Sequence, residues 1–383
     1  MSERFPRGGS AIVGSATFGM GEAPGYSSMD LAASASLQAL EQAGLPLSAV
    51  DALFVCVNDD MLSGLSLSEY LGIHPRLANN NRTGGSAFMT HATMAALAIQ
   101  AGLCEVALIA YGSNIRSSSN RVVTAPGASI YETPYAVSLA SSYALAARRH
   151  MHEYGTTRRQ LAEVVVAARQ WAALNPEAFM REPLSIEDCL AARPVATPFT
   201  VRDCCLVTDG GAAVVMTSAA RARDLVARPA YLLGSGEATT HRYIAQMPDL
   251  TVTGAVESGR SAFAQAGVKP ADIDVLQLYD AFSINPILFL EDLGFCAKGE
   301  GGAFVEGGRI APGGSLPVNT NGGGLSCVHP GMYGLFAMVE AVRQIAGTCG
   351  ARQILGVELA LAHGNGGVLS SQATVILGSA ATL

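Results

Sequence analysis

Two histidines stand beside small residues that allow sharp turns, and both could perform acid–base chemistry. His329 precedes a Pro-Gly pair at a predicted strand-to-helix junction, and His363 opens a glycine-rich turn that reads HGNGG. Imidazole exchanges protons near neutral pH, and successive backbone N–H groups of such a turn can bind an oxyanion. We therefore predict catalytic roles for His329 and His363, with substrate bound by Gly366 and Gly367. The alternative for each histidine is a hydrogen-bonded side chain in the core.

A tyrosine and an aspartate end a predicted buried strand. A carboxylate such as Asp280 is costly to bury unless it is paired or functional, and the phenol of Tyr279 can donate to a carbonyl or an alkoxide. We predict that both are catalytic, and that Tyr333, one turn into the helix after His329, contacts substrate. The alternatives are a helix N-cap for Asp280 and a core aromatic for Tyr279.

A third segment, Gly84-Gly85-Ser86, opens a predicted helix. The backbone N–H groups at a helix N-terminus attract negatively charged oxygens, so we predict that Gly85 and Ser86 bind substrate. The Ser86 hydroxyl is a weak nucleophile unless a base adjoins it, which leaves capping or packing as its alternative role. Cys327 lies two residues before His329, and we assign it to core packing.

The elements that must position these residues occur twice in the same order. ALEQAGLPLSAVDALFVCV, from Ala39, resembles AFAQAGVKPADIDVLQLYD, from Ala262. Gln42-Ala43-Gly44 and Gln265-Ala266-Gly267 are 223 residues apart, as are Asp51 and Asp274. Both segments predict a helix, a glycine stop, a turn and a buried strand. A period of this length indicates a duplicated domain, and the alternative is chance similarity of Ala-rich helices.

A second helix–strand pair follows in each half. The helix opened by Gly84 runs to Gly102 and precedes a strand over Val106 to Tyr111. The helix opened by His329 runs to Gly347 and precedes a strand over Ile354 to Ala362. Alternating helices and buried strands predict α/β layers.

The predicted fold is a five-layer α-β-α-β-α body made of two duplicated halves, residues 1–225 and 226–383. The helix Ala87 to Ala101 is apolar almost all round, which predicts burial on every side between two sheets. A more polar segment, about 114–201, is predicted to be an insertion that covers the site.

Composition excludes several classes of protein. Hydrophobic residues make up 49% and charged residues 14%, which predicts a large core and an oligomer. The net charge of −7 argues against nucleic-acid binding, and no apolar stretch is long enough to span a membrane. The start of the chain lacks a signal-peptide pattern, and the eight cysteines contain no C-x-x-C pair. We therefore expect a cytoplasmic protein with buried thiols, without a disulfide framework or a metal site.

The chain resembles the thiolase family along essentially its whole length. The resemblance rests on the duplicated halves together with VTDGGAAVVM at 207–216, YDAF at 279–282, HPG at 329–331 and HGNGG at 363–367. Within the family, the chain is most similar to the branch of thiolase-like lipid-transfer proteins and acetyl-CoA acetyltransferase homologues, which includes steroid side-chain aldolases. The resemblance implies a thiolase-like fold and acyl-CoA substrates.

The departures from the family pattern bear on the chemistry. The nucleophilic cysteine of thiolases corresponds to Gly85 or Ser86, and the turn with their second cysteine corresponds to HGNGG. Their Asn-Glu-Ala-Phe motif appears as YDAF, and His329 keeps the histidine of His-Pro-Gly. Thiolysis needs a thiolate to hold the acyl group, so retro-aldol cleavage of a β-hydroxyacyl-CoA fits better. The alternatives are an acyltransferase with a replaced nucleophile and a non-catalytic acyl-CoA or lipid binder.

The resemblance also implies partners. We expect coenzyme A as part of the substrate and no other cofactor, a homodimer formed through a sheet edge, and a small partner protein with an OB-fold and a zinc ribbon. Arginines of the insertion are the predicted contacts for CoA phosphates: Arg158, Arg159, Arg169 and Arg181.

Overall fold

Strands and helices alternate along the chain, as the sequence predicts. The structure, a computed structural model, describes residues 5–57, 59–119, 131–135 and 137–383, so residues 120–130 and 136 of the predicted insertion lie outside the described residues. The strands are β1 (Ser10–Gly21), β2 (Ala52–Val57), β3 (Leu77–Asn79), β4 (Val106–Ser113), β5 (Pro194–Ala196), β6 (Phe199–Thr200), β7 (Asp209–Ser218), β8 (Ala230–Thr239), β9 (Val275–Leu278), β10 (Leu359–Gly366) and β11 (Ser371–Gly378). The helices are α1 (Ser28–Gln42), α2 (Ser63–Leu71), α3 (Ala87–Gln100), α4 (Ile115–Ser119), α5 (Leu139–Tyr154), α6 (Arg158–Ala173), α7 (Ile186–Ala191), α8 (Ala219–Leu225), α9 (Ala255–Ala266), α10 (Ile284–Asp292), α11 (Gly301–Phe304) and α12 (Gly334–Ala346).

Nine strands form a sheet in the order β3-β2-β4-β7-β1-β8-β11-β10-β9. β1 meets β8 over two residues, Ala11 and Ile12, and this seam separates two halves. The pairing has the same sense in each half: β2–β4 and β9–β10 are parallel, whereas β4–β7–β1 and β10–β11–β8 are antiparallel. A parallel bridge between Leu276 and Val318 stands where β3 pairs with β2 in the first half. The two halves therefore share one topology.

Helices cover the outer faces of the sheet and fill the space between its halves. α1 packs on β1, β4 and β7, and α9 packs on β8 and β11. Between the halves, α3 contacts β4, β7 and β10, while α12 contacts β1, β9 and β10. This order of layers confirms the predicted α-β-α-β-α fold.

Helix α3 is less buried than predicted. Its first two turns lie in the core, but Met94 is 36% and Leu97 is 48% exposed. The expectation of burial on every side is wrong for this face. An Ala-rich helix has no polar stripe to mark its exposed side, so its sequence could not reveal the difference.

Two boundaries near the predicted site also differ from expectation. β10 begins at Leu359 instead of Ile354 and continues through His363 to Gly366, so His363 lies inside a strand and not in a turn after it. α12 begins at Gly334, and a turn with Gly331 at φ +87° separates it from His329. His329 therefore does not stand at a helix N-terminus, because the left-handed turn must be completed first.

The predicted insertion contributes α5, α6, α7 and the β5–β6 hairpin. α6 packs against a π-helical turn over Gly323–Cys327, and Trp171 donates a hydrogen bond to the carbonyl of Ile310 at 2.9 Å. The division predicted at residue 225 falls between α8 and β8 and stays a prediction. Within the described residues, no helix combines the length and apolar character that a bilayer crossing requires.

Candidate active site

A cavity of about 260 Å³ lies where the two halves meet. Four segments contribute to its walls: the loop before α3, the residues after β9, the turn before α12 and the turn after β10. Five of the predicted site residues line it, namely Gly85, Tyr279, His329, Gly366 and Gly367. Four others do not, namely Ser86, Asp280, Tyr333 and His363.

Tyr279 and His329 form a hydrogen-bonded pair in the cavity wall. The hydroxyl oxygen of Tyr279 lies 3.0 Å from Nε2 of His329, and both side chains are buried. Burial lowers the pKa of His329 to about 4 and raises the pKa of Tyr279 well above its ordinary value. Both groups are therefore uncharged at neutral pH, because the low-dielectric surroundings disfavour either charged form.

The hydroxyl of Tyr279 has a second partner. The backbone N–H of Tyr333 donates to its oxygen at 3.3 Å, and the phenol proton remains available to donate to Nε2 of His329. In the His329 tautomer with its proton on Nδ1, Nε2 accepts that phenol proton. A substrate hydroxyl that reaches the Tyr279 oxygen is thus connected to an imidazole that can accept a proton.

Residues of the first half hold the turn that carries His329. Its backbone N–H donates to Oγ1 of Thr208 at 2.9 Å, and the hydroxyl of Tyr111 donates to the carbonyl of Pro330. These bonds satisfy backbone groups that would be costly to bury alone. The position of His329 therefore depends on β4 and on the segment before β7.

Asp280 lies beside the π-helical turn and outside the cavity. Its carboxylate accepts hydrogen bonds from the backbone N–H groups of Gly324 at 2.6 Å and Leu325 at 3.2 Å. Gly323 has φ +65°, and a Cβ there would lie 2.0 Å from Oδ2 of Asp280, so this approach requires glycine. Burial raises the pKa of Asp280 to about 7, against the two N–H groups that favour its charged form. In this position Asp280 anchors the turn that leads to His329.

Tyr333 and Ser86 direct their hydroxyls into the core. The hydroxyl of Tyr333 donates to Oδ1 of Asn321 at 2.8 Å, and that of Ser86 donates to Oγ of Ser371 at 2.9 Å. Both side chains are fully buried. Their hydroxyls are therefore engaged away from the cavity, and Tyr333 reaches the site through its backbone N–H.

His363 lies behind the cavity, on the outer face of β10. Nδ1 is 2.8 Å from Oγ1 of Thr374 and Nε2 is 2.9 Å from Oε1 of Gln372, so both ring nitrogens have partners. Burial lowers the pKa of His363 to about 4. Gln372 in turn donates to Oδ1 of Asn365 at 2.7 Å, and the amide nitrogen of Asn365 donates to the hydroxyl of Tyr143 at 2.9 Å. His363 thus connects to the cavity through side chains that the sequence did not single out.

A cysteine that the sequence did not single out lines the cavity. Cys205 follows the predicted insertion, and its backbone N–H donates to the carbonyl of Ala281 at 2.8 Å. Burial raises the pKa of its thiol, so the sulfur is not activated as a thiolate. Cys327, in contrast, lies away from the cavity, with its sulfur 3.5 Å from Nδ2 of Asn175. Cys205 is recognised as a cavity residue only from the fold, which brings its backbone to the YDAF segment. No pattern in the sequence predicts this contact.

The arginines predicted to meet CoA phosphates have other partners. Arg158 forms an ion pair with Asp203 at 2.9 Å, and Arg169 is buried and donates to Ser326 at 3.0 Å. The remaining two are Arg159, paired with Glu187, and Arg181, near the carbonyl of Ala173. None of the four lines the cavity, so their contact with CoA phosphates, which would lie outside it, stays a prediction.

Two other arginines, Arg82 and Arg242, stand at the exposed rim of the cavity. Each half supplies one of them.

All eight cysteines are free thiols, and no group of three or more His, Cys, Asp or Glu side chains among the described residues could hold a metal ion. The chemistry that these residues allow is therefore proton transfer at Tyr279 and His329, with arginine charges at the entrance.

Comparison with known proteins gives a consistent result. Residues 236–379 match the family described as "Thiolase C-terminal domain-like". The chain is 33% identical to an "Acetyl-CoA acetyltransferase" of Methanothermobacter thermautotrophicus, covering 93% of this chain and 96% of the relative. It is 35% identical to a "17-hydroxy-3-oxo-4-pregnene-20-carboxyl-CoA lyase" of Mycobacterium tuberculosis, covering 95% and 98%. A "Steroid side-chain-cleaving aldolase" of Thermomonospora curvata is 34% identical over 89% of this chain and 91% of its own.

Solved structures agree with these relatives. The structure titled "Ltp2-ChsH2(DUF35) aldolase" superposes with a TM-score of 0.87 at 33% identity, covering 97% of this chain and 98% of that chain. Human mitochondrial 3-ketoacyl-CoA thiolase in complex with CoA has a TM-score of 0.74 at 16% identity, covering 98% of each chain. The second likeness concerns the fold alone.

Proposed function

This chain belongs to the thiolase superfamily, and from that membership we propose that it cleaves a β-hydroxyacyl-CoA by a retro-aldol reaction without a covalent cysteine intermediate. The observation that carries the proposal is the Tyr279–His329 pair in the cavity wall. The predicted match of the family nucleophile to Gly85 or Ser86 supports it, because neither residue is a cysteine. A neutral imidazole bonded to a phenol can accept a proton, whereas the family's acyl transfer requires a thiolate.

The reaction begins at the β-hydroxyl of the substrate. Its proton passes to the Tyr279 oxygen as the phenol proton passes to Nε2 of His329. The electron pair of the O–H bond forms the new carbonyl, and the bond between the α and β carbons breaks. Its electrons form the enolate of the CoA thioester. The α carbon then takes back the proton held by His329, passed through Tyr279, which gives the acyl-CoA product and returns both side chains to their starting state.

The enolate oxygen needs hydrogen-bond donors that are already in place. We assign this role to backbone N–H groups of Gly85, Gly366 and Gly367, which line the same cavity as Tyr279. Asp280 and Tyr333 position the pair, through the turn before His329 and through the backbone N–H bonded to Tyr279. His363 and Ser86 do not contact the substrate in this proposal. His363 stabilises β10 through its bonds to Thr374 and Gln372, and Ser86 stabilises the loop before α3 through its bond to Ser371.

Coenzyme A supplies the thioester, and no further cofactor takes part in the proposed steps. Arg82 and Arg242 are assigned to its phosphates, because they are the charged side chains at the cavity rim. The acyl chain faces an apolar wall with a stacked aromatic pair, Tyr143 and Phe282, whose ring centroids are 4.5 Å apart. This wall favours a hydrophobic substituent at the β carbon.

Two protein partners belong to the proposal. A homodimer through the sheet edge is supported by β3, the terminal strand, and by three exposed apolar side chains at the start of the adjacent helix α2: Met61 and Leu62 just before it and Leu65 within it. A small OB-fold and zinc-ribbon partner is supported by the likeness to a structure titled as an aldolase complex with a DUF35 protein. Cytoplasmic location stays a prediction.

The test is carbonyl release from β-hydroxyacyl-CoA esters by the purified chain, alone and with a small OB-fold and zinc-ribbon protein. We expect an aldehyde or ketone and a shortened acyl-CoA in equal amounts. The carbonyl product is trapped as a hydrazone, and both products are measured by mass spectrometry. A His329→Gln variant serves as the matched control, because glutamine keeps hydrogen bonding but cannot accept the proton. No carbonyl product across aliphatic, aromatic and steroid substrates would reject the proposal.

A second candidate function is acyl transfer through Cys205. The thiol lines the cavity, and one relative is named an acetyltransferase. This candidate requires the mass of one acetyl group on the peptide that contains Cys205 after incubation with acetyl-CoA. The raised pKa of the thiol argues for no such adduct at neutral pH.

A further inference from the structure

Gly85 has no room for a side chain, because neighbouring atoms occupy the position of a Cβ atom. Its φ does not lie in the left-handed region, so left-handed backbone strain is not what requires glycine here. A Cβ at this position would lie 2.0 Å from Cε2 and 2.7 Å from Cδ2 of Tyr279, and 2.9 Å from the backbone oxygen of Asn365. These distances are far below a carbon–carbon contact of about 3.5–4.0 Å. The ring of Tyr279 therefore occupies the volume that a side chain on residue 85 would need.

The ring cannot move aside easily. Its hydroxyl is bonded to His329 at 3.0 Å and to the backbone N–H of Tyr333 at 3.3 Å. The rings of His329 and Tyr333 pack edge-on against it, with centroids 5.5 Å and 5.8 Å away. Tyr279 is 4% exposed, so a rotation would have to displace core residues as well.

From this contact we infer that Tyr279 determines the type of reaction, because its ring excludes any nucleophilic side chain from residue 85. The inference rests on the proposed function and extends it: Tyr279 both relays the proton and keeps the site free of a covalent acyl-enzyme. A large residue 279 and a side chain on residue 85 are mutually exclusive. Ser86, one residue further, cannot replace the missing nucleophile for a separate reason: its buried hydroxyl is directed to Ser371.

If the Tyr279 ring excludes a nucleophile, two substitutions should introduce acyl transfer to a cysteine at residue 85. In a Gly85→Cys, Tyr279→Ala variant, the thiol of residue 85 occupies the vacated volume, and Nε2 of His329 is released from its phenol partner. His329 takes the thiol proton, the thiolate attacks the thioester carbonyl of acetyl-CoA, and the carbon–sulfur bond to CoA breaks. The CoA sulfur leaves as a thiol with the proton held by His329, and the acetyl group remains on residue 85. The N-terminus of α3 lies next to this residue and favours the thiolate.

A thermal double-mutant cycle tests the exclusion without any substrate. Gly85→Ala should lower the melting temperature by several degrees when Tyr279 is present. In a Tyr279→Ala background the same change should lower the melting temperature by much less, because only the contact with the backbone oxygen of Asn365, at 2.9 Å, remains. Equal losses in both backgrounds would overturn the exclusion.

Intact-mass measurements with acetyl-CoA test the reaction type. We expect one acetyl group on Gly85→Cys, Tyr279→Ala, and none on Gly85→Cys, Tyr279→Phe, which keeps the ring. Tyr279→Ala alone must also stay unmodified, since it contains the same other cysteines, including Cys205. Acylation of Gly85→Cys with Tyr279 or Phe in place, or a folded Gly85→Cys, Tyr279→Ala that takes no acetyl group, would overturn the inference. Failure of the proposed aldol function appears separately, as absence of carbonyl product from the unaltered protein.

Discussion

The two halves of the molecule keep the same framework but differ at the strand ends that meet at the site. Gln42 accepts a hydrogen bond from the backbone N–H of Ser15 at 3.2 Å, and Gln265 does the same for Ser235 at 2.9 Å. Asp51 accepts from the backbone of Val106 at 2.9 Å, just as Asp274 accepts from Leu359 at 2.9 Å. These side chains join a helix end and a strand start to neighbouring strands in both halves, which explains why they repeat.

Five residues beyond each of these aspartates, the likeness ends. The offset that relates Asp51 to Asp274 relates Cys56 to Tyr279 and Val57 to Asp280. Cys56 is a fully buried core thiol, whereas Tyr279 lines the cavity and contacts His329. Duplication thus preserved the hydrogen bonds that build each half, whereas the second half alone supplied the reactive groups Tyr279 and His329. The first half supplies Gly85 and the contacts that hold His329.

The largest expected effect comes from removing the hydroxyl of Tyr279. Tyr279→Phe keeps the ring and its packing but breaks the connection between substrate and His329. We expect the turnover number for carbonyl release to fall by at least about 100-fold, the range for loss of a general acid–base group. KM should change little, because the hydroxyl acts on the reacting bond. Steady-state kinetics on the purified variant measure both quantities.

The matched control lies at the corresponding position of the first half. Cys56→Ala should leave the turnover number within about two-fold, with a stability loss of about 1–2 kcal/mol from the buried cavity. Equal loss of turnover at both positions would show that the halves do not divide their tasks as described.

Framework carboxylates should respond alike in both halves. Asp51→Asn and Asp274→Asn each weaken bonds from two backbone N–H groups, at 2.8–3.0 Å. We expect each variant to lose about 1.5–3 kcal/mol of unfolding free energy, the range for hydrogen bonds to a charged group. Urea unfolding measures the losses. Asp51 also pairs with Arg76, so an Arg76→Gln control separates that contribution.

Much of this framework was predictable from the sequence. Spacing alone related Gln42 to Gln265 and Asp51 to Asp274, because residues that satisfy backbone groups at a fixed place in a motif must recur with it. The five layers followed from the alternation of helices and buried strands. The exposed face of α3 did not follow, because Met94 and Leu97 are as apolar as the residues that face the core.

The site was only partly predictable. Tyr279, His329 and Gly85 come from motifs that the sequence singled out, and the fold brings them together. His363 was expected in a turn, but the strand continues past it, and strand alternation directs its side chain to the outer layer. Cys205, Asn365 and Tyr143 come from distant parts of the chain, and only tertiary packing identifies them.

Asp280 provides a smaller test that depends on pH. Burial raises its pKa in the folded protein to about 7, above the value of about 4 in an unfolded chain. Protonated Asp280 is thus favoured by folding, and its contribution to stability is complete below pH 4 and is lost as pH rises through 7. Asp280→Asn should reduce the fall in melting temperature between pH 5 and pH 8. Val57→Ala, the corresponding change in the first half, should shift the melting temperatures at pH 5 and at pH 8 by the same amount. An unchanged slope in Asp280→Asn would contradict the assignment.

The smallest expected effect concerns the two rim arginines, of which each half supplies one. Both are exposed, and exposed charge pairs contribute only about 0.2–1 kcal/mol, so Arg82→Gln and Arg242→Gln should each raise the KM for the CoA ester by up to about five-fold. The turnover number should stay unchanged, and the difference from the unaltered protein should shrink as salt is added, because ions screen exposed charges. Arg159→Gln is the control, since that arginine is exposed and paired with Glu187 away from the cavity. If Arg159→Gln raises KM as much as the rim variants, the phosphates of CoA bind on the insertion and the two halves do not share the entrance.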